Sequence, residues 1–287
     1  MWSKPVTVCA APSLRLCATE WSRQGLPCVL LHGLGEAGCV WSHLAFRLAA
    51  RFRVVAFDLR GHGNSDRDPD GRYEMASFVG DLRNAVTTFG FDRMVLVGHS
   101  LGAEIAIRFA AENPARVAAL VIVDFGPECG QAGIDEVLRG LAALPRAFAS
   151  PEDYAQWLIE RRPLADPALL RQFARYNLRR ADGAETWEPK SDAALAAASP
   201  VAAHDPVDGR YRWLDLWPIL RRIDCPSLVV RGMASGVLPG DVAQRMADET
   251  LRRGRLITVA GAGHAVMMDN PNAFSAGVGG FLAGLAA

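Results

Sequence analysis

The stretch RMVLVGHSLGAEIAIRFAAE, residues 93–112, decides the fold. Its first half is apolar without polar alternation, which predicts a buried strand at 93–98, and its second half predicts a helix. Gly98, Ser100 and Gly102 between them form the pattern GxSxG. A strand that turns at once into a helix forces the serine into a strained conformation with its hydroxyl exposed, and the glycines remove side chains that would collide there. The stretch therefore predicts a nucleophilic Ser100 at the edge of a sheet.

Short apolar runs of the same kind recur along the chain. They are PCVLLHG (27–33), FRVVAFD (52–58), VAALVIVD (117–124), PSLVVRG (226–232) and RLITVAG (255–261). Runs without polar alternation suit strands that helices cover on both faces, so they predict a parallel sheet in an α/β protein. Functional sites in such sheets gather at the carboxyl ends of the strands.

Composition excludes several classes of partner. The chain has 287 residues, and 31 Lys plus Arg balance 31 Asp plus Glu, so no overall charge attracts nucleic acid or an acidic membrane. The six cysteines form no CxxC pair and no Cys/His cluster with zinc spacing, which favours buried thiols in a reducing compartment and no metal. No signal-peptide pattern and no run as long as a membrane span is present. We therefore expect a cytoplasmic protein that acts on a small molecule, as a monomer or homodimer.

The strand pattern stops between Glu128 and about Asp215, where the sequence becomes helical and rich in arginine. This predicts a helical cap at 128–215, inserted after the sixth strand into a core made of 1–127 and 216–287. The arginines are expected on solvated helix faces, and a site for an anionic substrate is the alternative. The aromatic residues expected to pack the cap onto the sheet are Trp157, Phe173, Tyr176 and Trp187.

A serine hydroxyl is a poor nucleophile at neutral pH unless an imidazole accepts its proton. His264 follows the last predicted strand, which places it at the same sheet edge as Ser100, and we expect it to be the base. His99 adjoins the serine and should point away from it across the turn. His43 and His204 are expected to be surface or packing residues.

Acyl transfer also needs N–H donors for the negative charge that develops on the carbonyl oxygen. LLHGLG, residues 30–35, leaves its strand through a glycine-flanked turn that can aim the backbone N–H of Leu34 inward. Its companion is the N–H of Leu101 at the start of the helix after the serine. A pocket is expected near Trp41, Met267 and Met268, whose side chains indicate a largely apolar cavity.

The motifs HGLGEAGCVW, DLRGHGNSD, GHSLG, VDFGPE and GAGHAVMMDNP, in this order, resemble the α/β-hydrolase fold superfamily. The resemblance runs from about residue 5 to the end and is to single-domain hydrolases with a helical cap. It implies a mostly parallel eight-stranded sheet with helices on both faces, a Ser nucleophile, a His base, an acid that orients the His, and no cofactor. Arg60 and His62 match a loop that in this family mainly builds structure.

The family usually places its acid after the seventh strand, but RGMASGVL puts Gly236 at that position. The remaining candidates are Asp124, Asp241 and, as a neutral substitute, Ser235. Some members, the haloalkane dehalogenases among them, carry the acid where Asp124 stands. We favour Asp124, because a carboxylate there could reach the far ring nitrogen of His264 and fix its tautomer. The alternative is that Asp124 only caps the chain as it enters the cap.

These residues predict a serine hydrolase that cleaves a carboxylic ester, thioester or lactone of a small, largely apolar substrate through an acyl-enzyme. One alternative is an acyltransferase or acyl-eliminating enzyme of secondary metabolism. The other is a ligand-binding protein that keeps the fold without turnover, which the missing acid at Gly236 would favour.

Overall fold

The computed structural model describes residues 3–11, 14–195 and 215–285. Its strands are β1 (Lys4–Ala11), β2 (Leu14–Glu20), β3 (Leu26–Leu31), β4 (Phe52–Phe57), β5 (Met94–His99), β6 (Val117–Val123), β7 (Leu178–Arg180), β8 (Trp187–Pro189), β9 (Ser227–Gly232) and β10 (Gly254–Val259). Eight of them form one sheet in the order β1-β2-β4-β3-β5-β6-β9-β10, and β7 pairs with β8. The pairings of β2 with β1 and with β4 are antiparallel, and the other pairings in the large sheet are parallel.

The α-helices are α1 (Ser42–Leu48), α2 (Met75–Thr88), α3 (Leu101–Glu112), α4 (Gln131–Ala142), α5 (Pro151–Arg161), α6 (Pro167–Tyr176), α7 (Trp217–Leu220), α8 (Gly240–Arg245), α9 (Val266–Asp269) and α10 (Pro271–Ala283). A 3₁₀ turn at Gly38–Trp41 precedes α1. None of the helices in the described ranges is long and apolar enough to cross a membrane.

The predicted fold class, an α/β protein with a mostly parallel eight-stranded sheet, is confirmed. Alternate residues of β3 enter two different apolar layers, Val29 and Leu31 on one face of the sheet and Cys28 and Leu30 on the other. Helices α2 and α3 bury their apolar sides in the first layer, and α1 and α10 in the second. Helices therefore cover both faces, which explains why the central strands lack polar alternation.

The turn between β5 and α3 depends on its two glycines. A Cβ atom at Gly98 would lie 2.2 Å from the carbonyl oxygen of Gly102, and one at Gly102 would lie 2.2 Å from the carbonyl oxygen of Leu31. Real Cβ atoms do not approach backbone so closely, so only glycine lets α3 begin against β3 and β5. This close approach fixes the position of Ser100.

The segment between β6 and β9 supplies α4, α5, α6 and the β7–β8 hairpin, and it is tied to the sheet by specific polar contacts. The hydroxyl of Tyr176 donates to Asp58 Oδ2 at 2.8 Å, and the backbone N–H of Asp166 donates to the carbonyl of Met268 at 2.8 Å. Phe173 is buried in the same apolar layer as α10. The boundaries 128–215 stay a prediction, and His204 lies outside the described residues.

The six cysteines are, as a group, less buried than the sequence predicts. All six are free thiols, but only Cys28 is buried and Cys9 is exposed. The other four are partly buried, so the expectation of buried thiols holds for Cys28, holds in part for these four and is wrong only for Cys9 on β1.

We predict that Gly102→Ala lowers the free energy of unfolding by at least about 2 kcal/mol, because its new Cβ collides with backbone that cannot move independently. Gly80→Ala is the matched control. Gly80 lies inside α2 with nothing within 4 Å of an added Cβ, so this substitution should be neutral or stabilise by up to about 1 kcal/mol. Chemical denaturation measures both, and equal stabilities of the two variants would contradict the prediction.

Candidate active site

Ser100 stands at the tip of the turn between β5 and α3. Its backbone has φ 51° and ψ −117°, a conformation that costs free energy in a non-glycine residue. The N–H of Ser100 donates to the carbonyl of Val123 at 3.1 Å, so the neighbouring strand holds the turn. Among the described residues, its hydroxyl has no hydrogen-bond partner. The residue is 7% exposed, which is less than the sequence predicts, but the strain and the hydroxyl without a partner are features of a nucleophile at a sharp turn.

His264 and Asp124 are brought together. His264 Nδ1 lies 2.8 Å from Asp124 Oδ2, and the carboxylate is fully buried at the end of β6 while the imidazole is 20% exposed. Asp124 has φ 49°, a left-handed conformation that aspartate tolerates better than most residues. Asp124 Oδ1 also accepts the N–H of Gly232 at 3.0 Å. The bond between His264 Nδ1 and Asp124 Oδ2 fixes the proton of the imidazole on Nδ1 and leaves Nε2 free to act as an acceptor.

Ser235 supports the carboxylate instead of replacing it. Its hydroxyl donates to Asp124 Oδ2 and accepts the N–H of Val237 at 3.0 Å and that of Leu238 at 3.4 Å. The loop after β9, which lacks an acid of its own, therefore holds in place the acid that β6 supplies. Sequence reasoning considered Ser235 only as a partner of the histidine and missed this role.

Gly236 faces α4. A Cβ atom built on Gly236 would have Gly133 Cα at 3.4 Å and Gly133 N at 3.7 Å, and no atom of His264 within 4 Å. Glycine is also required on the helix side, because a Cβ at Gly130 would lie 2.2 Å from the Gly236 carbonyl oxygen. The remaining candidate, Asp241, is exposed in the first turn of α8. Neither position brings a carboxylate to the imidazole.

Two neutral histidines hold the turn at residues 32–35, which is the predicted oxyanion turn. His32 Nε2 accepts the N–H of Leu59 at 2.9 Å, and His62 Nε2 accepts the N–H of Gly35 at 3.0 Å. Burial lowers the pKa of His32 to about 4 and that of His62 to about 3, so both rings are neutral at pH 7. They hold the turn that contains Leu34.

The N–H groups of Leu34 and Leu101 have no acceptor among the described residues. Leu101 is the first residue of α3, whose opening N–H groups lack partners within the helix. Leu34 lies in the turn between β3 and the 3₁₀ turn, and both residues are buried. Backbone N–H groups without an acceptor are the kind of donor that a developing negative charge needs, so the assignment of Leu34 and Leu101 to an oxyanion hole stays a prediction.

The apolar residues expected near the pocket are buried on the same side of the sheet. Trp41 is fully buried with its ring centroid 6.1 Å from that of Phe274, and its Nε1 has no partner in the described part of the chain. Met267 and Met268 lie in α9, directly after the histidine loop, and belong to the same apolar layer.

Arg60 is bound by Asp81 and Asp68, at 2.6 and 3.0 Å, and is therefore a structural residue of its loop.

No group of three His, Cys, Asp or Glu side chains within residues 3–11, 14–195 and 215–285 is arranged to hold a metal ion.

Comparison with known proteins gives the family. Residues 27–271 match the family described as alpha/beta hydrolase fold. The chain belongs to this family. Uncharacterized proteins of Mycobacterium bovis and Mycobacterium tuberculosis are 34% identical over 149 residues, half of this chain, and the match spans 42% of their length.

Two further relatives of this α/β hydrolase extend over most of its length. An esterase of Mycobacterium tuberculosis is 30% identical over 262 residues, which cover 89% of this chain and 82% of the esterase. The 2-(acetamidomethylene)succinate hydrolase of Mesorhizobium japonicum is 29% identical over 245 residues, 85% of this chain and 83% of that protein. A crystal structure of E-2-(acetamidomethylene)succinate hydrolase superposes with a TM-score of 0.85 at 26% identity, covering 98% of this chain and 99% of that one.

Sequence reasoning missed a buried ion pair beneath the site of this α/β hydrolase. His99 Nδ1 lies 2.9 Å from Glu36 Oε2, and His99 Nε2 lies 2.9 Å from the carbonyl oxygen of His264. Glu36 Oε2 also accepts the N–H of Gly33 at 2.9 Å. The pair therefore joins the oxyanion turn, the nucleophile turn and the histidine loop. The expectation that His99 points away from the serine stays a prediction, and its position before the serine of GxSxG was the signal available in the sequence.

The two ionisable groups of this pair stabilise each other's charge. Burial lowers the pKa of His99, but the Glu36 carboxylate outweighs that effect and the net pKa is raised. Burial raises the pKa of Glu36, but His99, the charge of Arg162 and the Gly33 N–H together reverse this, so the net pKa lies well below its usual value. Both nitrogens of His99 face acceptors, which is the arrangement of a protonated imidazole.

We predict that Asp124→Asn cuts kcat by about 10⁴-fold, because an amide at this position favours the wrong tautomer of His264. Asp241→Asn, at the exposed start of α8, is the matched control and should leave kcat unchanged. Steady-state kinetics on an activated ester measures both, with circular dichroism to verify folding. Wild-type activity in Asp124→Asn would exclude this carboxylate as the acid.

We also predict that Glu36→Gln lowers the free energy of unfolding by about 3–5 kcal/mol, because it leaves a buried charge unpaired. Glu128→Gln is the control. Its carboxylate is 53% exposed and pairs with Arg245 at 3.3 Å, so its loss should cost less than about 1 kcal/mol.

The loss of unfolding free energy in Glu36→Gln should become smaller as the pH rises. The raised pKa of His99 contributes stability that is complete below the ordinary histidine value of about 6.5 and is lost as the pH rises through the raised value. Chemical denaturation from pH 6 to 9 should therefore show the difference between wild type and variant shrinking with pH. A difference that stayed constant would mean that His99 is not protonated in the folded protein.

Proposed function

We propose that this α/β hydrolase is a serine hydrolase that cleaves a carboxylic ester, thioester or lactone of a small substrate through an acyl-enzyme. The observation that carries the proposal is that a strained serine and a hydrogen-bonded His–Asp pair lie at the same edge of the sheet. Ser100 has φ 51°, and His264 lies 2.8 Å from Asp124 beside it. A lone strained serine would support the fold only, but the oriented imidazole gives the serine a base.

In the proposed reaction Ser100 Oγ attacks the substrate carbonyl carbon while its proton passes to His264 Nε2. The imidazolium donates through Nδ1 to Asp124, whose buried charge stabilises it. His264 then gives the proton to the leaving group, and a water molecule repeats the cycle on the acyl-enzyme to release the acid. No hydrogen bond joins Ser100 to His264 in the described residues, and such contacts often tighten only when the substrate is bound.

The negative charge of the tetrahedral intermediate falls on the carbonyl oxygen. In the proposal, the N–H groups of Leu34 and Leu101 receive it. Loss of one such donor typically costs 10²- to 10³-fold in kcat, about 2.7–4 kcal/mol. Because both donors belong to the backbone, His32 and His62 affect this step only by holding the turn.

Two kinds of relative support hydrolysis of an acyl bond. One is named as an esterase and covers most of this chain. The other is named for a succinate derivative, so a substrate that carries a carboxylate belongs in any assay panel. Transfer to an acceptor other than water uses the same residues, and it is distinguished by product analysis with alcohols or thiols present.

The main rival is a ligand-binding protein that has lost turnover. The absence of an acid at Gly236 was its only support in the sequence. The bond of Asp124 to His264, with Ser235 and Gly232 holding the carboxylate, removes that support.

We predict that a fluorophosphonate probe labels the wild-type protein stoichiometrically and does not label Ser100→Ala, because the probe reacts only with an activated serine. Asp124→Asn should be labelled far more slowly than wild type. Intact mass spectrometry measures the label, and p-nitrophenyl esters, thioesters and lactones then define the substrate class. A folded wild-type protein that takes no label would favour the binding protein.

A further inference from the structure

Arg162 carries a buried guanidinium nitrogen without a partner. Its Nη1 is shielded from solvent and has no hydrogen-bond acceptor in the described part of the chain. A buried charged donor left unpaired costs more than a neutral one, for which about 1–3 kcal/mol is typical. Such a group calls for an explanation in a native protein, and a bound ion or ligand that supplies the acceptor is one.

Other cap arginines behave as the sequence predicts. Arg161, Arg171 and Arg179 lie at the surface and pair with Glu160, Glu152 and Glu188 at 3.8, 2.9 and 3.4 Å. Arg162 differs from them in the burial of Nη1 and in having no hydrogen-bonded carboxylate among the described residues, although Glu36 and Asp269 lie within electrostatic reach. The alternative considered from the sequence, an arginine site for an anionic substrate, therefore applies to this one position.

Arg162 also lies where the cap meets the loop that carries His264. It follows the last residue of α5, and its carbonyl accepts the N–H of Ala165 at 3.1 Å. The next residue, Asp166, bonds to the carbonyl of Met268 at 2.8 Å, just after the histidine. A Cβ at Gly263 would lie 3.5 Å from Leu164 Cδ1, so this turn of the cap packs directly on the residue before His264.

The nearby carboxylates are already occupied. Glu36 binds His99 and the Gly33 N–H, and Asp269 Oδ2 accepts the N–H of Gly263 at 2.8 Å. Burial raises the pKa of Asp269 above its usual value, although Arg162 acts against that shift, which places the guanidinium within electrostatic reach. Neither carboxylate is hydrogen-bonded to Arg162, so its Nη1 stays available.

We propose that Arg162 forms a subsite for a carboxylate on the substrate, so that the enzyme acts on acyl compounds that carry a second, anionic group. This inference rests on the proposed function for the reacting bond, but the subsite itself is a binding property. A guanidinium forms charge-assisted bonds to a carboxylate, and its planar fork can bind both oxygens of that group.

Two esters that differ in charge test the proposal. We predict that wild type prefers p-nitrophenyl hydrogen succinate to p-nitrophenyl butyrate in kcat/KM, and that Arg162→Met lowers this ratio by about 10- to 100-fold, the range expected for a hydrogen bond to a charged group. Arg171→Met, which removes a surface arginine of the same cap, should keep the wild-type ratio. The ratio cancels any general loss of activity, and equal ratios in all three proteins would refute the subsite.

A conservative variant guards against misfolding. Arg162→Lys keeps the positive charge but loses the planar fork, so its ratio should lie between those of wild type and Arg162→Met. A ratio in Arg162→Lys equal to that of wild type, together with an unfolded Arg162→Met, would also count against a bidentate carboxylate site.

Binding without turnover separates failure of this inference from failure of the proposed function. Calorimetry on Ser100→Ala compares monomethyl succinate with dimethyl succinate, which share a skeleton and differ by one charge. We expect tighter binding of the monoester, and at least tenfold loss of that difference when Arg162→Met is added. If the serine is not labelled and no ester is turned over, but the monoester still binds more tightly, the proposed hydrolase activity is wrong and the subsite stands. If esters are turned over but the two succinates bind equally well, the subsite is wrong and the hydrolase activity stands.

Discussion

The buried carboxylate of Glu36 is the contact on which the geometry of the site depends. It accepts the N–H of Gly33 from the oxyanion turn and pairs with His99 from the nucleophile turn. His99 in turn holds the carbonyl of His264. Buried charges are costly unless they are paired and hydrogen-bonded, and here Glu36 Oε2 and both ring nitrogens of His99 have partners. Gly33 has to be glycine, because a Cβ there would lie 2.7 Å from His99 Nδ1.

In a parallel sheet, a carboxylate can reach the histidine loop from either of two neighbouring strands. Strands β6 and β9 are neighbours, so their carboxyl ends lie side by side at the edge where the histidine loop arrives. Asp124 projects from the first, and Gly232 and Ser235 after the second bind its oxygens. The loop after β9 therefore still contributes hydrogen bonds to the acid. Position 236 supplies no carboxylate, but the absence of a side chain there allows close packing against α4.

The sequence predicted the parts of the fold that depend on local pattern. The six apolar runs became parallel strands, and the GxSxG turn positioned Ser100 as its glycines require. The edge strand β1 and its neighbour β2 came only from the family resemblance, because they lack the unbroken apolar runs of the other strands, and β2 instead alternates buried and more exposed residues. The pair between Glu36 and His99 joins residues 63 positions apart, and in HGLGEAG a glutamate has the pattern of a solvated turn. Arg162 was indistinguishable from Arg161 for the same reason: burial is not a local property.

The histidines at this edge show how the surroundings assign one residue to proton transfer. His32 and His62 each have both ring nitrogens bonded and are kept neutral by burial. His99 also has both nitrogens bonded, but to acceptors, so it stays protonated. His264 alone among the described histidines of this edge has one nitrogen fixed by a carboxylate and the other unbonded, on a ring that is partly exposed. A base must be oriented and must keep one nitrogen open to the proton it accepts, and among these four described histidines only His264, the proposed base, has both features.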